Sequence, residues 1–172
     1  VIGHGVELFQ RTRREHSGKP PAVSLRGVRG KCLALEALDI GPGEIIGFTG
    51  LPGAGAKEAA RAIFGLLPAI GTLSINGETP RPLPRTPRAA FDSGIAYLSD
   101  DRRRDGAVGQ MSIGTNIALS SLAARAKLGF IDHAAEDSVV SYYFNAMGVK
   151  ALNPDYSVNT LSGGNQQKVC LG

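Results

Sequence analysis

Two clusters in this sequence have the residue types and spacing to hold a phosphate anion. Ser162, Gly163 and Gly164 stand directly before a helical stretch that begins with Asn165, Gln166, Gln167, Lys168 and Val169. Two glycines leave backbone amides unobstructed. A helix start offers unpaired N–H groups and partial positive charge, and the Ser162 hydroxyl adds one more donor. The second cluster is the loop Gly50-Leu51-Pro52-Gly53-Ala54-Gly55, followed by Ala56 and Lys57. Gly50, Gly53 and Gly55 can shape a cradle whose backbone N–H groups face a phosphate. A charged loop, Asp100-Asp101-Arg102-Arg103-Arg104-Asp105-Gly106, lies between them. The plain alternatives are an ordinary Ser-Gly-Gly turn and a solvated loop of Asp–Arg pairs, each pair worth about 0–1 kcal/mol.

These clusters need elements to position them. Apolar patterning predicts strands at 23–28 and 32–38, a turn at Gly41-Pro42-Gly43, and a short buried strand at 45–48. The glycine loop should open a helix with Ala59, Ala60, Ile63, Phe64 and Leu67 on one face. Leu73 and Ile75 run as a strand into Asn76-Gly77, a hairpin-type turn. Thr86 followed by Pro87 reads as a helix start, and 95–98 as another short strand. Ser112 caps a helix carrying Ile117, Leu119 and Leu122. Asp132 caps a further helix with an apolar stripe of Ala135, Val139, Val140, Tyr143, Phe144 and Met147, ended by Gly148. The pattern is α/β with a late helical segment. Residues 1–21 read as a tether closed by Lys19, Pro20 and Pro21.

Composition narrows the function classes. A chain of 172 residues with 42% hydrophobic content suits one domain with a real core. It has no stretch of the roughly 20 apolar residues that crosses a bilayer, and its first twenty residues lack a signal-peptide core. Cys32 and Cys170 lie far apart without metal-ligand spacing, which fits a reduced compartment better than a disulfide framework. The net charge of +4 includes the runs Arg11, Arg13, Arg14 and Arg102, Arg103, Arg104. No aromatic residue interleaves with them, so solvated basic loops are favoured over nucleic-acid binding.

The nine residues from Leu161 to Val169 closely resemble the signature sequence of ABC-transporter ATPases, in the form found in carbohydrate importers. The loop from Gly50 to Lys57 and the stretch from Asp100 to Gly106 resemble, in order, that family's P-loop and the Glu-Asp-Arg-Lys-x-x-Gly stretch that replaces the glutamine loop in the second half of these importers. The resemblance implies an α/β P-loop NTPase fold with an ABC ATPase-type core, a helical signature subdomain, and the C-terminal part missing. It divides the chain into a linker at 1–21, a P-loop core at about 22–98 and a signature region at about 99–172. It implies ATP and Mg²⁺ as cofactors, with binding at this half's own P-loop weak or absent. The implied cofactor-binding residues are Gly50, Gly53, Gly55, Ala56, Lys57, Asp100, Ser162, Gly163, Gly164 and Gln166. It implies three partners: the other nucleotide-binding half, membrane permease subunits and, indirectly, a sugar-binding protein. The place is the cytoplasmic face of the cell membrane.

The sequence also departs from the working pattern. A working P-loop follows its last glycine with Lys and then Ser or Thr, to meet the β- and γ-phosphates and hold magnesium. Here Ala56 and Lys57 occupy those positions. One step along a helix turns a side chain by about 100°, so Lys57 points away from the cradle unless its long stem compensates. No aromatic residue for adenine stacking stands among Arg29, Gly30, Lys31 and Cys32. The Asp-Glu strand and switch histidine that follow the signature in the family are absent, and His4, His16 and His133 all precede it. A non-catalytic interaction module, an importer of nucleosides or signalling molecules, and a soluble ABC protein acting on ribosomes or DNA repair are the alternatives. The Asn-Gln-Gln-Lys variant and the Asp-Asp-Arg loop argue against the last.

Overall fold

The computed structural model describes residues 19–127 and 130–172. The tether, with Arg11, Arg13, Arg14, His4 and His16, falls almost wholly outside them. The chain divides into two compact units, one reaching Tyr97 and one spanning Leu98–Gly172.

The first unit is built on an antiparallel sheet ordered β2-β1-β3-β4. Strands β1 (Val23–Gly30) and β2 (Leu33–Ile40) form a hairpin, β3 (Ala69–Ile75) adds to the other edge of β1, and β4 (Arg81–Pro82) follows the Asn76-Gly77 turn. Both turn residues have positive φ, the geometry that matches strand twist. The register of β1 against β3 shifts between Arg26 and Arg29, where Gly27 has φ 58°. This bulge lets Leu25 and Val28, three residues apart, both face the core with Leu73 and Leu83. Helix α1 (Ala56–Ile63) buries Ala59 and Ala62, with Ile63 against the sheet cluster. Ala60, assigned from sequence to the buried face, is exposed, because the inward stripe is rotated toward Ala62. Helix α2 (Pro87–Asp92) starts as its sequence dictates: the Thr86 hydroxyl accepts the Ala89 N–H.

Two expected strands do not form. Residues 45–48 and 95–98 have no ladder partner among the described residues, and Ile45 is 96% exposed. An apolar run supplies a strand's side chains but not its neighbours, and an unpaired backbone does not settle into a sheet.

The second unit is mostly helical. Helices α3 (Ile113–Leu119) and α5 (His133–Ala146) are capped by Ser112 and Asp132, whose side chains accept the N–H groups of Thr115 and Ala135. Leu122 lies in a separate short helix, α4 (Leu122–Arg125), and Leu119 faces outward. A small hairpin, β5 (Ala126–Lys127) with β6 (Phe130–Ile131), leads into α5, which Gly148 ends with φ 56°. The core gathers Ile113, Ile117, Val149, Val158 and Val169, with Tyr143, Phe144 and Met147 of α5 packed against it. The last helix, α6 (Gly163–Leu171), contributes Val169. No helix among the described residues is long and apolar enough to cross a membrane.

Candidate functional site

The glycine loop belongs to the first unit. Leu51, Pro52, Gly53 and Ala54 form a tight turn in which the Ala54 N–H donates to the Leu51 carbonyl at 2.9 Å. Pro52 and Gly53 (φ 86°) take the two central positions, as a type II turn demands. Gly55 has φ 93°, and a Cβ there would collide with the Cys32 carbonyl oxygen at the β1–β2 turn. The loop is therefore fixed from below by backbone contact. It offers a phosphate fewer N–H groups than its glycines suggest, because Pro52 has none and that of Ala54 is engaged. Ala56 opens α1 with no polar side chain, and Lys57 lies exposed on the first turn.

The second unit holds Asp100, Ser162, Gly163, Gly164 and Gln166. At the start of α6 the N–H groups of Gly163, Gly164 and Asn165 have no acceptor among the described residues, while Gln166 N–H bonds the Ser162 carbonyl. Ser162 does not cap its helix as Ser112 does. Its Oγ instead accepts from the Asn165 side-chain amide at 3.1 Å. Nothing lies within 4 Å of where a Gly164 Cβ would be, so this face is open. Gln166 turns inward: its Nε2 donates to the carbonyls of Val158 (3.3 Å) and Leu161 (3.2 Å), fixing the turn that leads into α6.

The charged loop packs directly on this helix. Residues Arg102–Gly106 make a single π-helical turn, started by Asp101, whose Oδ1 accepts the Arg104 N–H. Arg102 Nε donates to Gln166 Oε1 at 3.3 Å, and a Cβ at Gly163 would come within 2.5 Å of an Arg102 guanidinium nitrogen. A Cβ at Gly106 would sit 3.1 Å from Cys170 Sγ, so the turn lies close against α6 there. The guanidinium adds positive charge beside the helix start, where backbone N–H groups already favour an anion. Asp100 is exposed at the foot of the loop. Arg104 pairs with Asp105 at 2.8 Å, and that carboxylate raises the guanidinium pKa. Burial pushes the Cys170 thiol pKa up, against a smaller opposing pull from Arg102.

Residues 36–172 match the sequence profile of the family described as ABC transporter. The chain belongs to the ABC transporter family. Among curated ABC relatives, the ribose import ATP-binding protein of Geobacillus kaustophilus is 42% identical over 131 residues, covering 76% of this chain and 26% of that protein. A ribose import ATP-binding protein of Rubrobacter xylanophilus is 42% identical over 152 residues, 87% of this chain and 30% of its own length. The xylose import ATP-binding protein of Burkholderia ambifaria is 46% identical over 132 residues, 75% of this chain and 25% of its own length. The chain thus spans roughly a quarter to a third of the curated relatives it matches. The α/β P-loop NTPase fold class inferred from sequence stands with the family.

ABC domains bind ATP with Mg²⁺ in general. The α6 start has the chemistry for a terminal phosphate: three unmatched N–H groups, a hydroxyl and a nearby guanidinium. The glycine loop is followed by Ala56, where the family's working pattern has lysine, and by Lys57, exposed on the first turn of α1. No group of three or more metal-ligating His, Cys, Asp or Glu side chains occurs among the described residues. The sequence reading did not place Arg102 or Asn165 in the site. The arginine run was visible, but its contact across 64 residues was not.

Proposed function

We propose that this chain is a nucleotide-binding half of an ABC importer for sugars, with its signature turn completing an ATP site whose P-loop belongs to the partner half. The observation that carries the reading is the contrast between its two phosphate-directed elements. The α6 start presents unmatched N–H groups with open space above Gly164, while Ala56 leaves the glycine loop without its phosphate lysine. The relatives' names, ribose and xylose import, support the cargo class.

In this reading residues 1–21 are a linker, about 22–98 the P-loop core and about 99–172 the signature region. Gly50, Gly53, Gly55, Ala56 and Lys57 form a weak nucleotide site of their own. Ser162, Gly163 and Gly164 meet the γ-phosphate in trans, Gln166 holds their turn, and Asp100 takes the place of the ligand that reaches toward Mg²⁺. The protein works at the cytoplasmic face of the membrane with permease subunits and, through them, a sugar-binding protein. Nucleic acid is not a partner.

The test is the ATPase rate of three variants in a full-length homologue carrying both halves. Ser162→Ala and Gly164→Val should each lower it strongly, and Lys57→Ala should leave it nearly unchanged. Loss of activity in Lys57→Ala, with the other two silent, would make this half the hydrolytic one and overturn the reading.

A further inference from the structure

The start of α6 breaks a pattern that α2, α3 and α5 follow. In those helices a Thr, Ser or Asp side chain accepts the N–H of the third helical residue. In α6 that third residue is Asn165, and its side chain, not its backbone N–H, takes the serine oxygen.

The direction of this bond is fixed by a third group. The Lys150 backbone N–H, which can only donate, meets Asn165 Oδ1 at 3.0 Å. The carbonyl end of the amide must therefore face Lys150, and the NH₂ end must face Ser162 Oγ. The Ser162 oxygen then acts as acceptor within the protein. Its own proton has no acceptor among the described residues. The same arrangement leaves the Asn165 backbone N–H unmatched, beside those of Gly163 and Gly164.

We propose that Asn165 is a positioning residue that sets the polarity of the signature turn. Clamped by Lys150, it presents only a donor to Ser162, so the hydroxyl proton is left for an anionic phosphate, and it leaves the Asn165 backbone N–H, which a capping serine would engage, free for the same anion. The proposal rests on the reading of Ser162 as a phosphate contact and adds to it the residue that orients that contact.

Asn165→Asp tests the polarity with little change of shape. It keeps the acceptor for Lys150 N–H but places an acceptor where the NH₂ was, so the Ser162 proton turns inward. Because the carboxylate also repels phosphate, the same change is made in a Ser162→Ala background, where repulsion persists and the hydroxyl is gone. The measurement is steady-state ATPase kinetics, kcat and KM separately, in the full-length two-half protein. Asn165→Ala is the second variant, with thermal melting of all variants. A hydrogen bond to a charged group supports an effect of about tenfold or more in kcat for Asn165→Asp. In the Ser162→Ala background the change should be only a fewfold, since the two residues act as one device. Asn165→Ala, which frees the hydroxyl to rotate, should fall between wild type and Asn165→Asp. An equal effect of Asn165→Asp in both backgrounds overturns the positioning role while leaving Ser162 as a phosphate contact. A silent Ser162→Ala overturns the underlying reading and the proposal with it. A kcat that follows the melting temperature across all variants, without coupling to Ser162, reduces Asn165 to a structural strap and also overturns the proposal.

Discussion

Three glycines in the two candidate phosphate turns differ in what an added methyl group would meet, which allows their roles to be separated by one substitution. Gly164 lies within α6, has no positive φ, and has nothing within 4 Å of a Cβ. Ala there relieves the entropic cost of glycine in a helix and should stabilise the chain by about 0.5–1 kcal/mol. Gly53 has φ 86° and also has open space around it. Ala there costs about 1–2 kcal/mol for the left-handed backbone, partly offset by about 0.4–1 kcal/mol from the stiffer unfolded chain. Gly55 has φ 93° and in addition meets the Cys32 carbonyl, a backbone atom that cannot swing away. Overlap of that kind adds about 1–3 kcal/mol, so Gly55→Ala should cost about 2–4 kcal/mol in all. Urea unfolding followed by circular dichroism should show the midpoint falling by about 1–2 M for Gly55→Ala. The midpoint should fall slightly for Gly53→Ala and rise slightly for Gly164→Ala. Hydrogen exchange assigns each change to its unit. On the proposed function, Gly164→Ala in a full-length homologue carrying both halves should nevertheless lower ATPase activity, since a methyl group then stands where that reading brings the phosphate. Equal costs at Gly53 and Gly55, or a destabilised Gly164→Ala, would refute the assignment of strain to the Cys32 contact and of openness to the signature turn.

On the proposed function, charge reversal at Arg102 in a full-length homologue should weaken the coupling of ATP hydrolysis to uptake by about tenfold or more while leaving circular dichroism unchanged, because it replaces a charge-assisted contact to Gln166 with a carboxylate beside the start of α6. Unchanged transport in a reconstituted importer would sink this. The two cysteines should separate under iodoacetamide, exposed Cys32 reacting before Cys170, whose pKa burial raises; mass spectrometry of the peptides decides it. With the folded pKa of Cys170 above its unfolded value, its contribution to stability is complete below the unfolded pKa and lost as pH rises through the folded one. Alkaline urea titrations of the second unit should therefore lose that slope in Cys170→Ala.

What the sequence made legible was what local chemistry decides. Thr86-Pro87, Ser112, Asp132 and Gly148 set helix ends through bonds and dihedrals within a few residues, and each acts in the structure as its type requires. Strands β1 and β2 were equally readable from their own apolar patterning, whereas their pairing as a hairpin was a finding of the structure. Residues 45–48 and 95–98 failed for the opposite reason: their apolar runs need neighbours that no local pattern reports. The bulge at Gly27 and the π-helical turn at Arg102–Gly106 were hidden because each depends on a distant surface, β3 in one case and α6 in the other. At the site, the motif named the glycines and the serine. It could not reveal that Asn165 bonds Lys150, or that Gln166 spends its amide on the turn beneath it.

The two bonds that bind α6 to the end of α5 make a mechanical linkage. Asn165 accepts the Lys150 N–H, and Lys168 Nζ donates to the Gly148 carbonyl at 2.8 Å, so the turn that opens α6 is bolted to the point where α5 stops. Helix α5 has 14 residues and is therefore an arm about 21 Å long. A push of about 2 Å against its His133 end is a rotation of about 5° at the Gly148 end over that length. A rotation so small leaves the core intact and turns the three N–H groups and the hydroxyl at the start of α6 by a similar few degrees, inside the angular range a hydrogen bond tolerates. The start of α6 is thus tied at two points to the segment that ends α5, and the two move as one piece.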